Sequence, residues 1–153
     1  MSRRSWLVLT AALAVAAVLT LSALLGNPDA VKVAEPVRIS VRIASLVDNV
    51  SVRGYLVVAD TEELQRTGYG LVREGDVGVL FIFRDLPRTV CFRNPFNFSI
   101  YMYVLMQSKL FDLYGRYVHV LLSNTTWCTV LVEGEMVLET RLRLPADIFV
   151  SRT

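Results

Sequence analysis

The sequence predicts a mainly β domain, a compact barrel or sandwich of about seven short strands with one short helix, preceded by an N-terminal transmembrane helix. Three observations carry that prediction. Trp6 to Leu25 is an uncharged run of 20 residues. Arg38 to Ile43 alternates apolar and polar residues at period two. Val77 to Phe83 and Ser99 to Met106 are apolar on both parities, as strands covered on both faces are.

Met1-Ser2-Arg3-Arg4 gives the first run a positive start. A helix of that length spans roughly 30 Å, the thickness of a bilayer's hydrocarbon core. Arg3 and Arg4 should stay in the cytoplasm, while Asp29, Lys32 and Glu35 leave no positive bias beyond the run, so the remainder is expected outside. We read residues 6–25 as a retained anchor in the lipid bilayer of a cell membrane. A cleaved signal peptide releasing a secreted domain is the competing reading, but its apolar region is usually only about 7–15 residues, and Leu24-Leu25-Gly26-Asn27-Pro28 offers no small-x-small site. The expected division is therefore an anchor over 1–26, a polar tether over 27–36 and a domain over 37–153.

Within the domain, Ile39, Val41 and Ile43 fall on one face of the first strand, and Arg38, Ser40 and Arg42 on the other. Asp48-Asn49 turns the chain into a return strand over Tyr55 to Ala59. Asp60 with Glu63 three residues on reads as a capping box, and Gly68 as the stop of a short helix. Asp112-Leu113-Tyr114-Gly115 reads as a turn from Leu110-Phe111 into Tyr117 to Leu122. Glu133-Gly134 joins Thr129–Val132 to Met136–Leu142, a strand in which Met136, Leu138 and Leu142 are expected to face in and Glu139, Arg141 and Arg143 out.

Apolar residues make up 54% of the chain, much of the excess lying in the opening run. Beyond Leu25 the 14 cations balance 14 acids and interleave with them. A nucleic-acid binder gathers a basic excess on one face, so nucleic acid is not an expected partner.

From residue 57 onward the chain resembles the domain of unknown function 192 family. Val57-Val58-Ala59-Asp60-Thr61-Glu62-Glu63, then Gln65-Arg66 and Gly70-Leu71-Val72, follow the family's Ala-x-Thr-x-x-Glu-Arg-x-x-Gly-Leu-Met with one extra residue before the glycine. Gly78-Val79-Leu80-Phe81-Ile82-Phe83 corresponds to its Gly-Met-Leu-Phe-x-Phe, Cys91-Phe92-Arg93-Asn94-Pro95 to its aromatic-Met-Lys-Asn-Thr, Asp112-Leu113-Tyr114-Gly115 to its Asp-x-x-Gly, and Val137-Leu138-Glu139 to its Val-Leu-Glu. The family's Pro-Leu-Asp is replaced by Phe98-Ser99-Ile100, and its glycine-rich ending by Leu144-Pro145-Ala146-Asp147. The resemblance implies a compact β-rich fold, often exported or tethered, with no established activity.

Arg93-Asn94 is the leading candidate contact for a ligand or partner, since a guanidinium beside a carboxamide can clamp a carboxylate, a phosphate or sugar hydroxyls. The plainer reading is a surface Arg and an Asn closing a turn ahead of Pro95. His119, the one histidine, sits in an apolar strand and reads as core or strand face; no zinc spacing and no Gly-x-Ser-x-Gly elbow accompanies it. Neither a metal nor a cofactor is expected. Glu62-Glu63 and Glu133/Glu135 are local acid pairs at a helix start and a hairpin turn. Cys91 and Cys128 are either a disulfide, which would contribute about 3–4 kcal/mol, or two buried thiols. Asn49, Asn97 and Asn124 head glycosylation sequons. The aromatic cluster from Phe92 to Tyr103 serves as core or as a stacking surface for sugars.

Taken together these features point to a non-catalytic binding or assembly module, displayed outside the membrane toward an envelope protein or carbohydrate. The rival is a hydrolase acting on envelope carbohydrate or peptide, which would need at least two carboxylates converging in one pocket.

Overall fold

The computed structural model describes residues 35–108, 112–144 and 147–153. The expected anchor, most of the tether, Leu110-Phe111 and Pro145-Ala146 lie outside the described residues. Among the described residues no helix is long and apolar enough to cross a membrane.

Nine strands are described: β1 (Arg38–Ser45), β2 (Ser51–Ala59), β3 (Asp76–Ile82), β4 (Arg88–Arg93), β5 (Ile100–Gln107), β6 (Leu113–Leu121), β7 (Thr126–Leu131), β8 (Met136–Thr140) and β9 (Ile148–Arg152). Seven of them close a barrel in the order β1-β2-β3-β8-β5-β6-β9, while β4 and β7 form a separate two-stranded ribbon. The mainly β barrel with one short helix is thus as the sequence predicts. β1 and β2 pair antiparallel. β2 and β3 are parallel, and a parallel pair needs a crossover of a dozen or more residues. That crossover is the helix α1 (Glu62–Thr67) followed by a 3-10 turn (Gly68–Leu71).

Two apolar layers hold this arrangement. Val41, Ile43, Leu56, Leu80, Tyr103, Leu105, Leu138 and Ile148 fill the lumen. The alternate positions Val57, Ala59, Val79, Phe81, Met102, Val104 and Val137 form a second cluster outside the barrel with Leu64 of α1 and Phe92 and Leu131 of the ribbon. β3 and β5 are apolar on both parities because the lumen takes one face and the ribbon and crossover cover the other. At about 1.5–3 kcal/mol for each large side chain fully buried, this outer layer is a substantial part of the fold's stability.

Four local expectations are corrected. The helix is capped by Thr61, whose Oγ1 accepts from the Leu64 amide at 3.3 Å, so it starts one residue later than an Asp60 box allows, and Glu63 has no reciprocal role. Gly68 does end it, at φ 54°. Leu113 to Gly115 belong to β6 and not to a turn. Gly115 is needed there because a Cβ would sit 2.7 Å from Ile148 Cγ1 and 2.8 Å from Leu105 Cδ2. The strand expected over Met136–Leu142 ends at Thr140, and a further strand, β9, follows and closes the barrel against β1 and β6.

The fourth correction bears on function. Glu139 does not face out to solvent: it is 3% exposed. β8 lies between β3 and β5, with Glu139 opposite Val79 on one side and Met102 on the other. Its side chain therefore points into the outer layer, beneath the crossover. Gly78 lets β8 approach so closely, since a Cβ there would clash with the Glu139 carbonyl oxygen.

Candidate functional site

Where the ribbon and the crossover meet, they do not close completely. A cleft of about 540 Å³ remains between the α1/3-10 segment (Gln65 to Tyr69) and β4 with its exit (Arg88 to Phe96). Phe81, Phe83 and Glu139 also line it.

Several contacts set its walls. The Gln65 side-chain amide donates to the Ile82 carbonyl at 2.8 Å and the Ala59 carbonyl at 3.4 Å, which pins α1 to the ends of β2 and β3. Arg38 Nε lies 3.2 Å from both Asp76 carboxylate oxygens, and its Nη2 donates to the Leu71 carbonyl at 3.2 Å. Asp76 also accepts the Arg73 amide at 2.8 Å. This ion pair holds the segment after the 3-10 turn, and it removes Arg38 from the solvent face that period-two alternation assigns to it. On the opposite wall Phe92 meets Phe81 edge-on at 5.3 Å and lies against Trp127 at 6.1 Å.

Glu139 is the carboxyl of the cleft. It accepts a hydrogen bond from the Tyr69 amide, which favours its ionised form, but burial outweighs that and pushes it up to about 8. Among the described residues no arginine forms an ion pair with it. The side chain is therefore a neutral acid across most of the physiological range, with an O–H to donate.

The charge at the rim is positive. Arg66 pairs with Glu62 at 3.5 Å, both well exposed. Arg88 lies over the Phe83 ring, 5.2 Å from its centroid. Among the described residues, neither Arg88 nor Arg93 has a carboxylate within ion-pairing distance.

The two halves of the Arg93-Asn94 candidate part company. Arg93, at the end of β4, is exposed and lines the cleft. Asn94 is fully buried and internally committed: its amide nitrogen donates to the carbonyls of Phe98 (2.5 Å) and Leu121 (3.0 Å), and its Oδ1 accepts the Phe96 amide (3.0 Å). It builds the turn behind Pro95 and has no group left for a ligand. Asn94→Ala strands three buried polar groups at once, so we expect a loss of about 2–4 kcal/mol, read by urea unfolding, with no change in cleft chemistry in the folded fraction.

Cys91 and Cys128 stand opposite each other in the ribbon and are joined as a disulfide on its exposed face, not as buried thiols. Asn49, Asn97 and Asn124 are all exposed. His119 stacks on Trp127 at 5.2 Å, a strand-face role. Phe96 and Phe98 stack at 5.1 Å, with Arg141 over Phe98 at 4.3 Å, so the aromatic cluster divides between buried rings (Phe92, Tyr103) and half-buried ones (Phe96, Phe98) packed against the core. The acid pairs do not converge: Glu62 is paired on the helix, Glu63 and Glu133 are exposed, and Glu135 accepts the Val132 amide at 2.9 Å.

Glu139 is the residue that pattern reasoning passed over. Its signal was present in the run Val137-Leu138-Glu139, where apolar residues on both parities mark a strand covered on both faces.

No protein-family model matches the chain, and no curated protein matches it either. Among solved structures, the crystal structure of a candidate transcription regulator from Sinorhizobium meliloti 1021 is similar, with a TM-score of 0.52, over 77% of this chain and 95% of that one. At 13% identity the likeness shows a shared fold and nothing more.

Proposed function

We propose that the chain is a non-catalytic binding module, held outside a membrane by residues 6–25, whose recognition site is the cleft under the ribbon. The observation that carries this reading is Glu139, a buried acid with no cation beside it on the wall of an open cleft. A purely structural position between Val79 and Met102 would be better served by an apolar side chain, so the retained carboxyl points to use. The cleft has one carboxyl, whereas glycoside hydrolysis needs two, which counts against the hydrolase alternative.

Two further facts support the reading. An exposed disulfide persists in oxidising compartments, as expected beyond the membrane. Four of the five short segments that resemble the domain of unknown function 192 family also reach the cleft, with Gln65-Arg66, Phe81, Phe83, Phe92-Arg93 and Glu139 on its walls, while Asp112 to Gly115 lie away from it at the start of β6. We therefore propose membership of that family, with the cleft as its common site.

The test is photo-crosslinking in the intact membrane, with a benzophenone side chain placed at Arg66 on the rim or at Val130, 64% exposed on the ribbon's outer face. We expect a discrete adduct from position 66 and none from 130. Equal labelling from both positions would remove the cleft as the recognition site, and recovery of the intact chain from the cytosolic fraction would remove the membrane placement.

A further inference from the structure

The charge inventory of the cleft narrows what can enter it. Two guanidiniums without carboxylate partners, Arg88 and Arg93, stand on the β4 side, while Arg66 on the α1 side is already paired with Glu62. The carboxyl on its wall, Glu139, is buried among Val79, Met102 and Phe81 and takes its hydrogen bond from a backbone amide. A cationic ligand would meet two like charges and no ionised acid. An anion meets planar guanidinium donors on the β4 side, each able to grip a carboxylate or phosphate bidentately.

Between rim and Glu139 the surface is apolar and aromatic: Phe81, Phe83, Phe92 and Phe96. Arg88 lies on Phe83, so the cation is carried at the edge of that surface. The volume of about 540 Å³ falls in the range that encloses a small organic molecule.

From this juxtaposition we infer that the cleft takes a small amphipathic organic anion: a carboxylate or phosphate head held by Arg88 at the edge of Phe83, with Arg93 adding positive charge further along β4, and an apolar body on the phenylalanines, with a hydrogen-bond acceptor turned toward Glu139. The inference rests on the cleft being the recognition site and adds the ligand's chemical class.

The groups facing Glu139 leave its own proton as the one that matters near neutrality. Tyr69, on the 3-10 turn, is pushed above its usual range by burial and stays neutral. The cations around it are Arg66 on α1, Arg88 and Arg93 on β4, and Arg141, which faces Tyr69. The neighbours on β3 and β5 do not titrate. Anion binding should therefore weaken as pH rises through about 8, where Glu139 loses its donor and gains a negative charge.

The experiment uses the full chain in lipid nanodiscs and three probes of one shape: benzoate, phenyl phosphate and neutral benzamide. Binding is read by calorimetry and by NMR shifts of the Tyr69 and Phe96 amides. We expect at least one of the two anions to bind at least tenfold more tightly than benzamide. The tighter anion tells whether the head is carboxylate or phosphate. The Arg88→Ala/Arg93→Ala double variant, with both changes at exposed positions and its melting checked against the parent, should lose at least tenfold. If benzamide binds as well as both anions, or the double variant keeps full affinity, the anion inference falls and the cleft stands. If no probe shifts the cleft amides, both fall.

Discussion

Glu139→Gln is expected to stabilise the protein, and by an amount that grows with pH. In the folded chain burial holds this carboxyl at about 8, against an ordinary value of 4.5. Below about pH 4.5 both folded and unfolded states carry the proton, and the group contributes its full stability. Between about 4.5 and 8 the unfolded chain ionises and the folded one does not, so stability falls by about 1.4 kcal/mol per pH unit. Above about 8 both states are ionised and the loss levels off, at roughly 4–5 kcal/mol in all. Glutamine keeps an oxygen for the Tyr69 amide and never ionises. The difference in urea-unfolding free energy between variant and parent should be small at pH 4.5, about 3 kcal/mol in the variant's favour at pH 7, and constant above pH 8.5. A difference that stays flat across this range would mean that Glu139 is as solvated as an ordinary surface acid. An isosteric change that gains so much stability marks the native residue as one kept for something other than folding.

Much of the architecture could be read from local pattern, and the places where it could not share one physical reason. Strict alternation in β1 and apolarity on both parities in β3 and β5 report burial, and burial is what those residues have. Alternation says which residues share a face; it does not say what covers that face. Glu139 falls on the face opposite Leu138, as period two requires. That face becomes interior only because the 3-10 turn and the ribbon, whose β4 strand is distant in sequence, come to lie over it.

The same limit explains Arg38, whose partner Asp76 is 38 residues away. It also explains Gly115, which looks like a turn residue until Ile148 and Leu105 are seen packed against it. Asn94 was ambiguous in a different way. Its type and its place before Pro95 suit both a ligand contact and an internal turn, and only the count of its hydrogen bonds decides. Of the proposed pair, the sequence could locate Arg93 at the site but could not separate it from its buried neighbour.

Cys91→Ser/Cys128→Ser should lower stability by about 3–4 kcal/mol, the loop-closure contribution of a bridge spanning a separation of 37 residues. For a domain of this size that is roughly a 10–15 °C fall in melting temperature. The consequence should be uneven over the molecule. The ribbon makes no backbone ladder with the barrel; it is held by the inward side chains Val90, Phe92, Trp127 and Leu131 and by its own β4–β7 pairing. An isolated two-stranded hairpin is marginal in water, so the unbridged ribbon should open before the closed barrel does. Hydrogen exchange of the double variant is expected to speed up most at the amides of β4 and β7, while those of β3, β5 and β8 change only with the global loss. Because β4 is one wall of the cleft and carries Arg88 and Arg93, opening of the ribbon removes the rim cations from Glu139. Ligand affinity should then fall under reducing conditions in the parent protein as it does in the double variant. If exchange rises evenly over barrel and ribbon, the two are one cooperative unit, and the bridge acts on the whole fold and not on the cleft.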